Sequence, residues 1–94
     1  MYTQREIDSL DRKYFSVILA DQYDITLLSK NTHHIWQLHS VELPDGQMIV
    51  TFHKHRPWDQ YHTHSRSRTL GKAIRDIKDH DRFQLNGRKP VKRK

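Results

Sequence analysis

The chain has 94 residues, of which 34% are apolar, enough for one small domain with a modest core. A deep enclosed active site is hard to fit in so short a chain, so any chemistry is expected on an open face or shallow groove. There is no cysteine, which excludes disulfides, thiolate metal sites and thiol catalysis.

No apolar run approaches the roughly 18 residues that span a bilayer. The first residues, Met-Tyr-Thr-Gln-Arg-Glu-Ile, carry charges and lack the apolar stretch of a signal peptide. A soluble, cytosolic protein without membrane contact is therefore expected. The net charge of +6 is unevenly spread. Residues 1–52 hold four Lys/Arg against seven Asp/Glu, residues 53–81 hold seven against four, and residues 82–94 hold six and no acid. That asymmetry, joined by eight histidines, points to a polyanionic partner, RNA or another nucleic acid.

Thr3 and Glu6 have capping-box spacing. Ile7, Leu10, Tyr14, Val17 and Ile18 then recur at helical spacing, which predicts a first helix over residues 4–20. Three strands are predicted next: Ile25 to Ser29, His33 to Val41, and Gln47 to His55. Lys30-Asn31-Thr32 provides one tight turn and Pro44-Asp45-Gly46 the other, with proline presetting φ and glycine accepting a positive φ.

Placing Leu43 opposite Gln47 sets Leu38 against Phe52, Ser40 against Val50, His39 against Thr51 and Gln37 against His53. One face then carries Trp36, Leu38, Met48, Val50 and Phe52 with Ile25 and Leu27, and is the expected core. The other carries His33, Ile35, Gln37, His39, Thr51, His53 and His55, and is expected to be open.

Residues 56–68 show no clean period and read as a loop. Thr69 caps a second helix whose inner face is Leu70, Ala73, Ile74 and Ile77, and Asn86-Gly87 stops it. Its charged residues Arg75, Asp76, Lys78, Asp79 and Asp81, with His80, read as a solvated face. The expected architecture is an α+β, α-β-β-β-α two-layer sandwich. A three-stranded antiparallel sheet would carry both helices on one face, in a single domain over 1–85 with a basic tail over 86–94.

Thr32-His33-His34-Ile35-Trp36, then Pro44-Asp45-Gly46, then Ile49-Val50-Thr51-Phe52-His53-Lys54-His55, then Thr69-Leu70-Gly71-Lys72-Ala73-Ile74 form an ordered series. The series resembles the HicA family of mRNA interferase toxins over residues 24–78. That family has a double-stranded-RNA-binding-like fold, and the resemblance implies metal-independent RNA cleavage and a cognate antitoxin partner. It also implies a catalytic histidine at the position of His33. The match departs at Asn31 and Thr32, where the family has Gly-Ser, and in the extra residues of the 56–68 loop and the tail.

Cleavage by the RNA 2′-OH needs a base and an acid, roles that histidine suits near neutral pH. His33 is the candidate for one role, His55 or His53 for the other, with Arg56 on phosphate. For nucleic-acid binding, Trp58 and Tyr61 offer stacking surfaces, and Lys54, Arg56, Arg66, Arg68 and Lys72 offer phosphate contacts. Arg88, Lys89, Lys92 and Arg93 in the tail would add salt-sensitive affinity. This leading reading uses no cofactor and no metal. A second reading is a non-catalytic nucleic-acid or ribonucleoprotein adaptor or inhibitor from a mobile element. The third is a His-rich metal binder built on His53-x-His55 and His62-x-His64.

Overall fold

A computed structural model describes residues 1–87. The expected tail residues Arg88, Lys89, Lys92 and Arg93 lie outside the described residues. In chain order the elements are α1 (Gln4–Asp8), β1 (Phe15–Ala20), β2 (Asp24–Ser29), β3 (Ile35–Leu43), β4 (Gly46–Lys54), β5 (His62–Ser67) and α2 (Leu70–Leu85). The strands form one antiparallel meander, β1-β2-β3-β4-β5. The α+β class holds, but the three-stranded sheet is corrected to five strands. No helix among the described residues is long and apolar enough to cross a membrane.

The first extra strand comes from the segment expected to continue the first helix. The capping box does form, with Glu6 N donating to Thr3 Oγ1 at 3.1 Å and Thr3 N donating to Glu6 Oε1 at 3.0 Å. The helix nevertheless ends after five residues. Asp11 Oδ1 accepts from the backbone N–H groups of Lys13 and Tyr14, and Asp21 Oδ1 accepts from those of Tyr23 and Asp24. These side-chain turns bracket the apolar run Phe15–Ala20 and deliver it to β2.

The second extra strand, β5, occupies the expected 56–68 loop. It pairs with β4 from Ile49↔Ser67 to His53↔His62, and a bulge at His64 breaks its alternation. The second expected strand, His33 to Val41, also starts later than predicted, at Ile35, because His33 takes φ 63° and closes the turn after β2.

The β3–β4 hairpin is one residue tighter than expected. Leu43 pairs with Gly46, not Gln47, so the partners are Leu38↔Thr51, His39↔Val50, Gln37↔Phe52 and Trp36↔His53. Gly46 sits at φ 139°, a backbone state that glycine alone adopts freely. Because side chains alternate faces, one residue of register inverts all of β4. Ile49, Thr51 and His53 are buried on the covered face, while Met48, Val50 and Phe52, expected in the core, are half-buried on the outer one.

The covered face packs against α2, whose buried residues Leu70, Ala73, Ile77 and Asp81 form one stripe. Tyr2, Leu10, Phe15, Ile25, Leu27, Trp36, Leu38 and Ile49 complete the core, with Ile7 of α1 and Ile74 of α2 against its margin. Thr69 caps α2 as expected, accepting from Lys72 N at 3.2 Å. Gly87, at φ 66°, follows its C-terminus.

Asp81, expected on a solvated helix face, is fully buried. Its Oδ2 accepts from Tyr14 Oη and Ser29 Oγ, each at 2.7 Å, and its Oδ1 accepts from Thr32 Oγ1 at 2.9 Å. One carboxyl thereby ties α2 to the ends of β1 and β2 and to the turn before β3. Asp81→Ala strands the buried Ser29 hydroxyl and frees the half-buried Tyr14 and Thr32 hydroxyls to water, so it should lower stability by about 1–3 kcal/mol. Urea denaturation of the variant checks this; a loss below about 1 kcal/mol would contradict it.

Candidate functional site

Six of the eight histidines meet at one end of the covered face. His53 is their centre, placed there by the β4 register and only 1% exposed. Its ring lies 4.1 Å from that of Trp36, tilted 26°. Its Nε2 is 3.0 Å from His34 Nδ1, and its Nδ1 is 3.2 Å from His62 Nε2. A neutral imidazole carries one ring proton, so His53 donates to one of these neighbours and accepts from the other.

His34 reaches the cluster because of its neighbour. His33 adopts a left-handed backbone, with its N–H donating to Ser29 O at 2.8 Å, and Ser29 N donates to His34 O at 3.0 Å. That geometry leaves His33 exposed while the His34 ring stacks on His55 at 4.3 Å and 8°. His80 enters from α2, its ring 4.8 Å from His53 and 4.9 Å from His64. His64 owes its inward position to the β5 bulge and sits edge-on to Trp36 at 5.1 Å.

The environment disfavours charge on these rings. Burial, followed by His80, His34, His55 and His62, pushes His53 down to about 2. Burial and the same kind of neighbours, partly opposed by Asp81, push His80 down to about 4. His64 is also lowered, chiefly by burial, with Asp76 pulling the other way. Beside the cluster on the same face, Thr51 Oγ1 and Ser65 Oγ are buried with no hydrogen-bond partner.

The nitrogens of His34, His53 and His80 lie within 4.8 Å of one another, a spacing that a metal ion could bridge. Sequence reasoning did not single out His34 for chemistry and placed His80 on the surface. The signal for His80 was its spacing, three residues after the inward Ile77 and beside Asp81.

The expected site residues divide. His53 and His55 share the cluster, but His53 lies beneath α2 instead of on the open face, and exposed His33 is turned away from it by its backbone. His39, expected beside them, is on the outer face with its Nδ1 2.8 Å from Asp24 Oδ1.

The loop between β4 and β5 gathers Lys54, Arg56, Trp58 and Tyr61. The Lys54 ammonium stands 4.4 Å from the Tyr61 ring centroid, and the Arg56 guanidinium 5.4 Å from that of Trp58. Asp59 shapes the loop by accepting from Arg56 N at 3.1 Å and Nε at 3.3 Å. Trp58 is 75% exposed. Arg66 is exposed on the outer face of β5, opposite Val50. Arg68 is tied to Asp45 at 2.6 Å, and Lys72 to Asp76 at 3.2 Å along α2.

Comparisons with protein-family models, with curated proteins and with solved structures find no match to this chain.

The lowered imidazoles set the sign of a pH effect. An unfolded histidine protonates near 6.5, whereas folded His80 resists to about 4 and His53 to about 2. Between those values the unfolded chain binds protons that the folded chain refuses. Stability is therefore complete above about pH 6.5 and is lost as pH falls toward 4 and then 2. Urea midpoints measured in chelator should decline across this window, and a flat profile down to about pH 4 would contradict it.

Proposed function

We propose that this chain binds single-stranded nucleic acid, with RNA as the expected target, on the loop between β4 and β5. The observation that carries this reading is Trp58, a large ring left exposed on a loop where a guanidinium already lies against it. An indole of this kind is a stacking platform for a base, and base–aromatic stacking contributes about 1–3 kcal/mol per base. Tyr61 supplies a second ring, and Lys54, Arg56 and Arg66 supply the phosphate contacts. The six basic residues of 82–94, with no acid among them, add charge attraction of the same sign. Arg56, Arg68 and Lys72 are engaged by Asp59, Asp45 and Asp76, so they contribute less than Lys54 and Arg66.

Fluorescence anisotropy with a labelled single-stranded RNA tests the proposal. Affinity should fall with salt at a log–log slope of about −0.7 for each phosphate contact. Trp58→Ala should weaken binding about tenfold, the equivalent of roughly 1.4 kcal/mol of stacking. Binding that is insensitive to both salt and Trp58 would overturn the assignment.

The second reading is RNA cleavage with His33 as general base or acid. It is favoured by the exposed ring on a backbone conformation that non-glycine residues seldom adopt, a form of strain met at functional sites. His53 is withdrawn from the complementary role, because burial holds it unprotonated. Incubation of labelled RNA with the protein should then release fragments ending in a 2′,3′-cyclic phosphate, and His33→Ala should abolish them. Intact RNA with the unaltered protein would remove this reading and leave binding alone.

A further inference from the structure

We infer that His34, His53 and His80 form a site for one late first-row divalent metal ion, of the Zn²⁺, Cu²⁺ or Ni²⁺ class, with a coordination position left open. The three imidazoles come from the turn before β3, from β4 and from α2, so the fold itself assembles the site. Their nitrogens lie within 4.8 Å of one another. Ligands about 2.0–2.1 Å from a tetrahedral ion stand roughly 3.3 Å apart. His53 Nε2 and His34 Nδ1, at 3.0 Å, are already near that edge length. His80, on a half-buried helical position, completes the triangle.

The ligand type selects the ion. Imidazole without thiolate or carboxylate suits zinc, copper and nickel, and it disfavours magnesium and calcium, which prefer oxygen. The surroundings also have the form of an outer shell. Trp36 holds the plane of His53 from one side. His62 Nε2, at 3.2 Å from His53 Nδ1, accepts the proton there and leaves Nε2 bare for the ion, so His62 is a positioning residue. His55 stacks on His34 and fixes its plane. On α2, the hydroxyls bound to Asp81 anchor the turn from which His80 projects. Both His55 and His62 are exposed, so the cluster opens to solvent on their side, where a shallow groove is lined by Lys54, His55, Asp59, Gln60 and His62.

The site stands apart from the nucleic-acid reading, since neither Trp58 nor Arg56 belongs to it. Its test is calorimetric titration of Zn²⁺ into the full chain after chelator treatment, with Mg²⁺ as the counter-probe. One Zn²⁺ per chain with Kd in the micromolar range or tighter is expected, with no heat from Mg²⁺. His80→Ala and His34→Ala leave the buried His53–Trp36 pair in place, and circular dichroism verifies that they fold. Each should weaken Zn²⁺ by more than the roughly 10–100-fold that loss of an outer partner costs. His62→Ala should fall within that 10–100-fold range, and His39→Ala on the opposite face should change nothing. Cobalt substitution gives an independent readout: wild-type protein should show the intense visible bands of a four-coordinate ion, and His80→Ala should lose them. Three outcomes would overturn the site: no stoichiometric Zn²⁺, undiminished wild-type affinity in the His34→Ala and His80→Ala variants, or binding abolished only by changes at His62 and His64. The last would assign the ion to the pair His62 and His64 on β5 alone.

Discussion

A two-residue connection, Pro44-Asp45, decides which side of the sheet every β4 side chain occupies. With Leu43 opposite Gly46, each even-numbered residue of β3 faces an odd-numbered residue of β4. Trp36, Leu38 and Ser40 therefore share the covered face with His53, Thr51 and Ile49. One more residue in the turn would carry Phe52, Val50 and Met48 inward and put His53 in water. The tighter turn rests on local chemistry, since Pro44 presets its own φ and Gly46 accepts 139° without a side-chain penalty. The consequence is a face with a polar admixture: a buried imidazole and two buried hydroxyls stand where larger apolar side chains were available. The stacking of His53 on Trp36 and its two ring-nitrogen contacts offset the desolvation.

What could be read from the sequence follows the strength of local signals. The caps at Thr3 and Thr69, the Pro-Asp-Gly turn, the inner stripe of α2 and the central strands are all visible as residue types at fixed offsets. β1 is not, because Phe-Ser-Val-Ile-Leu-Ala is a short apolar run with no alternation, and Leu10, Tyr14 and Val17 happen to continue a helical period into it. Asp11 and Asp21 were the decisive residues there, and their effect is on backbone hydrogen bonds, not on hydrophobic pattern. β5 is hidden for another reason. Its inward positions are Ser65 and Ser67, small polar residues, with His62 at the exposed end of the same face, and the bulge at His64 shifts the alternation midway. The histidine cluster was visible only as pairs. Bringing them together needed a register and a helix packing that no local pattern encodes.

Trp36 joins the two halves of the interior. One side of its ring meets His53, and its Nε1 donates to Ser29 Oγ at 3.1 Å, which in turn donates to Asp81. Toward β1 and β2 the core is apolar, closed by Tyr2, Phe15, Ile25 and Leu27. Toward β4 and β5 it passes into imidazoles. The Asp81 hydroxyl network lies near this boundary and fixes α2 against the sheet, and residues 80 and 81 divide the work. Asp81 anchors the helix, and the adjacent side chain is offered to the cluster.

The end of β4 then separates two chemistries by strand geometry alone. Successive side chains point to opposite faces, so His53 turns toward α2 while Lys54 turns outward to stand over Tyr61. Beyond the strand, His55 returns to stack on His34, and Arg56 lies against Trp58. Imidazoles gather on one side and cations with exposed rings on the other, within four consecutive residues. A cation placed among the imidazoles would compete with a metal ion for the same electron pairs. A carboxylate placed among Lys54 and Arg56 would repel phosphate, and Asp59, the acid in that loop, is already engaged by Arg56. The alternation that carries His53 inward is thus the same one that keeps the outer surface positive, and neither side could be obtained from the other register.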